Sequence, residues 1–165
     1  LELTYPLENL ERREKRNARI PFCNEMYLFN QVCVLLHKVG KTKEAVERME
    51  EMMRKYEGMV EERKLHFKNI HLCEINLCKY LEELDRLEDA EKIANRVIKE
   101  KLLWGKISQI HKLFIRKSNI AEKRKKNIEV SRELIEKAYY LSELCIYEKD
   151  SKILKKALED AAGKI

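Results

Sequence analysis

Two stretches decide the fold: FNQVCVLLHKVGKTKEAVERMEEM at residues 29–52 and EINLCKYLEELDRLEDAEKIANRV at residues 74–97. Laid one over the other, their offsets agree position for position. Val32-Cys33 falls on Leu77-Cys78, Leu36 on Leu81, Gly40 on Asp85, Ala45 on Ala90, Met49 on Ala94 and Met52 on Val97. Apolar residues recurring at three and four residues place a stripe along one side of a helix. Gly40 interrupts the first stripe where a left-handed residue ends a helix. Each stretch therefore reads as a pair of helices. Both put a small Cys late in the first helix and an Ala early in the second, where paired helices need close approach.

The same grammar extends outward. Pro6 and Pro21 stand where helices begin, since proline suits a first turn. The expected elements are a leading helix at 6–17, helix pairs at 22–58, 60–99 and 101–146, and a C-terminal capping helix at 150–162. Within them, Thr42 reads as an N-cap, and Val60 to Glu83 as one long helix. Asp85 with Glu88 three residues on reads as a capping box. The third pair is weakly registered from Leu103 onward, with a basic turn at Lys125–Asn127. The last helix is capped at Asp150 or Ser151 and carries an apolar face of Ile153, Leu154, Ala157, Leu158 and Ala161. A chain of 165 residues suits a single domain. It begins at Leu1 rather than Met, so it is expected to be part of a longer protein.

Composition narrows the function classes. Charged residues make up 39% and apolar ones 44%, with 4 Gly and 2 Pro; this matches extended amphipathic helices, fits β-architecture badly, and is too apolar and periodic for disorder. The longest apolar run, Val32 to Leu36, is far short of a membrane span, and no signal-peptide pattern opens the chain. The five cysteines are odd in number and form no CxxC pair, so they read as free core thiols of a cytoplasmic protein. Neither they nor the histidines have metal-ligand spacing, and no cofactor is expected. No phosphate loop, nucleophile elbow or HExxH is present. Glu61-Glu62 and Glu82-Glu83 are adjacent carboxylates that diverge by about 100° on a helix, so neither pair shares one proton task. The expectation is a protein that is not an enzyme. The net charge of +6 has its densest run at Lys123-Arg124-Lys125-Lys126, which reads as a solvated turn, with no nucleic acid bound through this stretch.

Over residues 22 to 145 this pattern resembles the tetratricopeptide repeat, in which small residues let antiparallel helices pack closely. The family's tryptophan is replaced by Phe29 and Glu74, and its terminal proline is absent from both cycles. Ala45 and Ala90 lie 45 residues apart, against about 34 in the family repeat. The surplus of about eleven residues is three helical turns, so longer helices keep their faces in phase. Further, Ala138-Tyr-Tyr-Leu-Ser-Glu-Leu144 followed by Asp150 and a short helix is similar to the tail of Gram-positive Rgg- and PlcR-type helix-turn-helix regulators. Ile20-Pro21 and Tyr27-Leu28 ahead of Gly40-Lys-Thr-Lys-Glu-Ala45 are similar to their sensor region.

That resemblance implies an all-α, right-handed superhelical array of antiparallel helix pairs that binds a short peptide and forms a homodimer. It also implies a DNA-binding helix-turn-helix domain, which is expected to be absent from these residues. In such an array the first helix of each pair lines the concave groove. The groove-facing positions are Tyr27, Asn30, Gln31, Val34 and Lys38, then Leu72, Ile75, Asn76, Lys79 and Glu83, then Leu113, Arg116 and Lys117. Carboxamides both donate and accept, so Asn30, Gln31 and Asn76 are the candidates for gripping a peptide backbone, as asparagines on these helices do in the resembled family. Arg116 or Lys79 suits a peptide carboxylate, and Val34, Leu72 and Ile75 suit apolar side chains. Asn30 and Val34 stand where the first Lys and Asn of the chaperone-tail clamp would fall, which argues against that ligand. The competing reading is a constitutive tetratricopeptide scaffold joining partner proteins, its Asn and Gln ordinary solvated positions.

Overall fold

The computed structural model describes residues 23–124 and 128–162, and every helix or strand in them is a helix. In chain order these are α1 (Cys23–Lys38), α2 (Thr42–Arg54), α3 (Val60–Leu65), α4 (Phe67–Glu83), α5 (Leu87–Leu103), α6 (Ile110–Lys123), α7 (Ile128–Leu144) and α8 (Glu148–Ala162). The chain is thus the all-α, tetratricopeptide-like array of helix pairs read from its periodicity. The leading helix expected at 6–17 and the basic turn at Lys125–Asn127 lie outside the described residues. Two compact units divide the chain, Leu1–Tyr80 and Leu81–Ile165, with the boundary inside α4.

In the first unit α1 packs on α2. The predicted stripes are the core: Met26, Phe29, Cys33 and Leu36 on α1, with Ala45, Val46, Met49 and Met52 on α2, are buried. From α4, Ile70, Cys73, Leu77 and Tyr80 are buried as well. Each large apolar side chain so placed contributes about 1.5–3 kcal/mol of transfer free energy. Cys33, Ala45, Cys78 and Ala90 have no exposed surface at all. The small residues of the repeat are inside, as the alignment requires.

Four of the described helix ends share one device. Gly40 has φ +81°, and the Lys41 N–H reaches back to the Leu36 carbonyl at 2.9 Å while Gly40 N–H bonds His37. This is the Schellman closure, which leaves one residue left-handed. Asp85 at φ +62°, Gly105 at +62° and Ile146 at +59° close α4, α5 and α7, with Arg86, Lys106 and Tyr147 making the same long backbone bond. Asp85 is therefore the end of a helix and does not cap the next one, which corrects the capping-box reading. The residue before α5 is Arg86, which makes no cap bond; its guanidinium pairs with Asp89 at 2.6 Å. Thr42 is likewise the first residue of α2, and its hydroxyl lies 3.2 Å from His37 Nδ1. The cause is common to both. Lys41 and Arg86 sit at ψ 48° and 60°, away from the extended backbone that a capping side chain needs. Ile146 is the strained member of the four, because the left-handed conformation costs a β-branched residue about 1–2 kcal/mol.

Two expected boundaries are corrected. Val60 to Glu83 is not one helix. It breaks at His66, whose backbone closes α3 on the Glu62 carbonyl and whose own carbonyl receives Asn69 and Ile70 N–H. Arg63 Nη2 donates to both Glu74 carboxylate oxygens, at 2.9 and 3.1 Å. Along an unbroken helix those residues would be about 16 Å apart, so the ion pair requires the break. The third pair starts later than expected. Gly105 ends α5, Leu102 and Leu103 are exposed, and α6 begins only at Ile110.

In the second unit α5 packs on α6, α6 on α7 and α7 on α8. Where α6 meets α7, a serine pair replaces the Cys and Ala of the earlier cycles. Ser118 Oγ lies 2.6 Å from Ser131 Oγ, and Ser131 donates to Glu122 at 2.7 Å, so these buried hydroxyls are satisfied. The last helix packs on α7 and buries Leu154, while Ile153 and Ala157 of its predicted apolar face are exposed. It begins at Glu148, so neither Asp150 nor Ser151 precedes it as a cap. Among the described residues no helix is long and apolar enough to cross a membrane.

Candidate functional site

The first unit brings the central candidates together. On α1, positions 27, 30, 31, 34 and 38 recur at three and four residues and share a side of the helix. Positions 72, 75, 76 and 79 do the same on α4. The two helices touch where Cys73 Sγ points at the Met26 carbonyl at 4.0 Å. One turn further along each, Asn76 Nδ2 donates to Asn30 Oδ1 at 2.9 Å. That bond joins residues 46 apart in sequence and uses half of each carboxamide. The remaining halves are the NH2 of Asn30 and the carbonyl oxygen of Asn76. Asn30 is almost wholly buried while Asn76 is half-buried, so Asn76 is the member of the pair that a ligand can reach.

Around this pair the exposure is graded. Asn30 is buried and Ile75 is buried, whereas Gln31, Val34, Leu72, Asn76 and Lys79 are half-buried. Tyr27 and Lys38 are exposed. Toward the C-terminal ends of both helices, the His37 ring stacks on Tyr80 with centroids 4.2 Å apart. The Lys79 ammonium sits 5.9 Å from the same tyrosine ring.

Leu113, expected beside Arg116 on the groove face, is instead fully buried in the second unit; Arg116 belongs to the same unit, where its Nη1 is 3.0 Å from Glu82 Oε2. Asn119 Nδ2 bonds the same carboxylate at 3.2 Å, and Lys123 Nζ bonds the Glu82 backbone carbonyl. Glu82 is buried while Glu83 is exposed, so the two adjacent carboxylates lead separate lives. In the sequence Glu82 reads only as half of that doublet. The signal that could have found it is the recurrence of Arg116, Asn119 and Lys123 on one side of α6, a ready-made seat for an anion.

The cysteines behave as packing groups. Burial pushes the Cys33 thiol up to about 12 and raises Cys73 well above its ordinary range, again chiefly by desolvation. A thiol held that far from ionisation neither attacks nor ligates at neutral pH.

No family model matches the chain, and no curated protein matches it. Among solved structures, the chain is similar to Bacillus thuringiensis PlcR crystallised in complex with the peptide PapR7 and DNA. The TM-score is 0.69 at 15% identity, over 93% of this chain and 54% of that one. The fold is therefore shared along nearly the whole of this chain, which spans about half the length of PlcR.

Proposed function

We propose that residues 1–165 act as one peptide-sensing and dimerising domain of a transcription regulator, with DNA contact left to another part of a longer chain. The observation that carries this reading is the Asn30–Asn76 carboxamide pair on the first helices of successive pairs. The fold shared with a protein crystallised on a peptide and DNA supports it. An extended peptide of about five to eight residues would lay its backbone on Gln31 and Asn76, with the buried Asn30 holding the Asn76 carboxamide in place, exchanging water for carboxamide bonds. Val34, Leu72 and Ile75 would supply apolar contacts beside it, with Tyr27, Lys38 and Lys79 at the margins. Arg116 would take a carboxylate only by trading its bond to Glu82. Free thiols at Cys33, Cys73, Cys78 and Cys145 fit a cytoplasmic location.

The test is calorimetry with synthetic five- to eight-residue peptides drawn from small secreted precursors encoded beside the gene. Asn76→Ala should weaken binding by about 1–3 kcal/mol, because a peptide amide is left unpaired in a half-dry groove. Lys92→Ala, on the exposed side of α5, should leave it unchanged, and circular dichroism should report both variants folded. Equal affinity of wild type and Asn76→Ala would sink the reading and favour a constitutive scaffold.

For dimerisation, the surface to test is the end of α7. Tyr140 and Leu144 share a helix side one turn apart, and the strained Ile146 follows them; all three are at least two-thirds exposed. We expect a second copy to cover this patch. Leu144→Glu should then convert the chain to a monomer in sedimentation velocity, and an unchanged sedimentation coefficient would remove the patch from consideration.

A further inference from the structure

The start of α6 and the start of α8 meet at a histidine that the peptide reading does not use. His111 is fully buried. Its Nε2 lies 2.8 Å from Asp150 Oδ2, and its ring lies 4.7 Å from that of Tyr147 in the α7–α8 turn. The same turn is anchored nearby, where Cys145 Sγ points at the Ile107 carbonyl at 3.9 Å. The other ring nitrogen, Nδ1, is buried with no hydrogen-bond partner among the described residues. We propose that His111 and Asp150 form a proton-sensitive latch, which holds the C-terminal helix α8 against α6 at neutral pH and releases it in mild acid.

The geometry fixes the tautomer. A carboxylate only accepts, so Nε2 carries the proton and donates to Asp150, leaving a lone pair on Nδ1. Protonating the ring in place would put a second N–H on Nδ1, inside the packing, where the described residues offer no acceptor. A buried charged donor without a partner is costly, so proton uptake is coupled to opening. The titratable groups around the ring are Asp150 on α8, Tyr147 in the turn and Lys112 on α6 itself. Burial lowers the affinity of His111 for a proton below its ordinary value, Lys112 acts in the same direction, and Asp150 opposes them without prevailing.

The sign follows directly. With the folded value below the unfolded value of about 6.5, the latch is at full strength above that pH and weakens as pH falls through it. One proton bounds the effect: the opening equilibrium of α8 rises by at most about tenfold per pH unit. Hydrogen exchange of the wild-type chain, corrected for intrinsic rates, should show the protection of residues 148–160 falling between pH 7 and pH 5. In His111→Gln the amide donates to Asp150 without titrating, and that pH dependence should vanish. Protection that is independent of pH in the wild type, or equally pH-dependent in His111→Gln, overturns the proposal. Should His111→Gln fail to fold, the wild-type His111 resonance still decides by NMR. A midpoint below 6.5 supports the latch, and one at or above 6.5 overturns it.

Discussion

Replacing Glu74 with Ala is expected to destabilise the chain by about 3–5 kcal/mol. Arg63 and Glu74 form a two-pronged ion pair whose side chains are only 7% and 0% exposed. Two charges taken out of water offset much of their desolvation through each other. Removing the carboxylate takes away both hydrogen bonds that the buried guanidinium of Arg63 makes to it. The repeat suggests the complementary experiment, because Glu74 occupies the position of the fully apolar Phe29 in the first cycle. Arg63→Met combined with Glu74→Leu should therefore recover most of the loss, since a buried ion pair replaced by packed apolar groups is often neutral or better. Urea denaturation of the wild type, both single variants and the double variant gives the coupling energy. A Glu74→Ala midpoint equal to the wild type would show that the pair is open to water in solution.

The second large effect is overpacking at the repeat's small residues. Ala45→Leu and Ala90→Leu should each cost about 1–3 kcal/mol, since three further carbons must enter a site with no exposed surface. At Ala45 the added side chain meets the contact between α1 and α2, where Cys33 is also fully buried. Glu47, on the exposed side of α2, supplies the control: Glu47→Leu should change stability little. Thermal melts of these three variants check the alignment of the two cycles directly. Unchanged melting of both alanine variants would mean that the matching offsets are coincidence.

What the residues alone determined is local in physical origin. Helix periodicity depends on neighbours three and four apart, so the stripes of α1, α2, α4 and α5 were legible, as was the burial of Cys33, Ala45, Cys78 and Ala90. The ends of the helices were legible in position but less so in kind. Asp85 has the chemistry of a cap, and only its backbone angle tells that it closes α4 rather than opening α5. Other features needed the tertiary structure, because they join residues far apart in the chain. Asn30 meets Asn76 across 46 residues, Arg116 meets Glu82 across 34, and His111 meets Asp150 across 39. A periodic pattern says which side of a helix is apolar and leaves open which helix lies against it and at what height. Even the break at His66, inside a stretch with unbroken helical periodicity, is decided by such a contact. Residues 63 and 74 each suit a helix, and the ion pair they make in the dry interior exists only once that helix is cut in two.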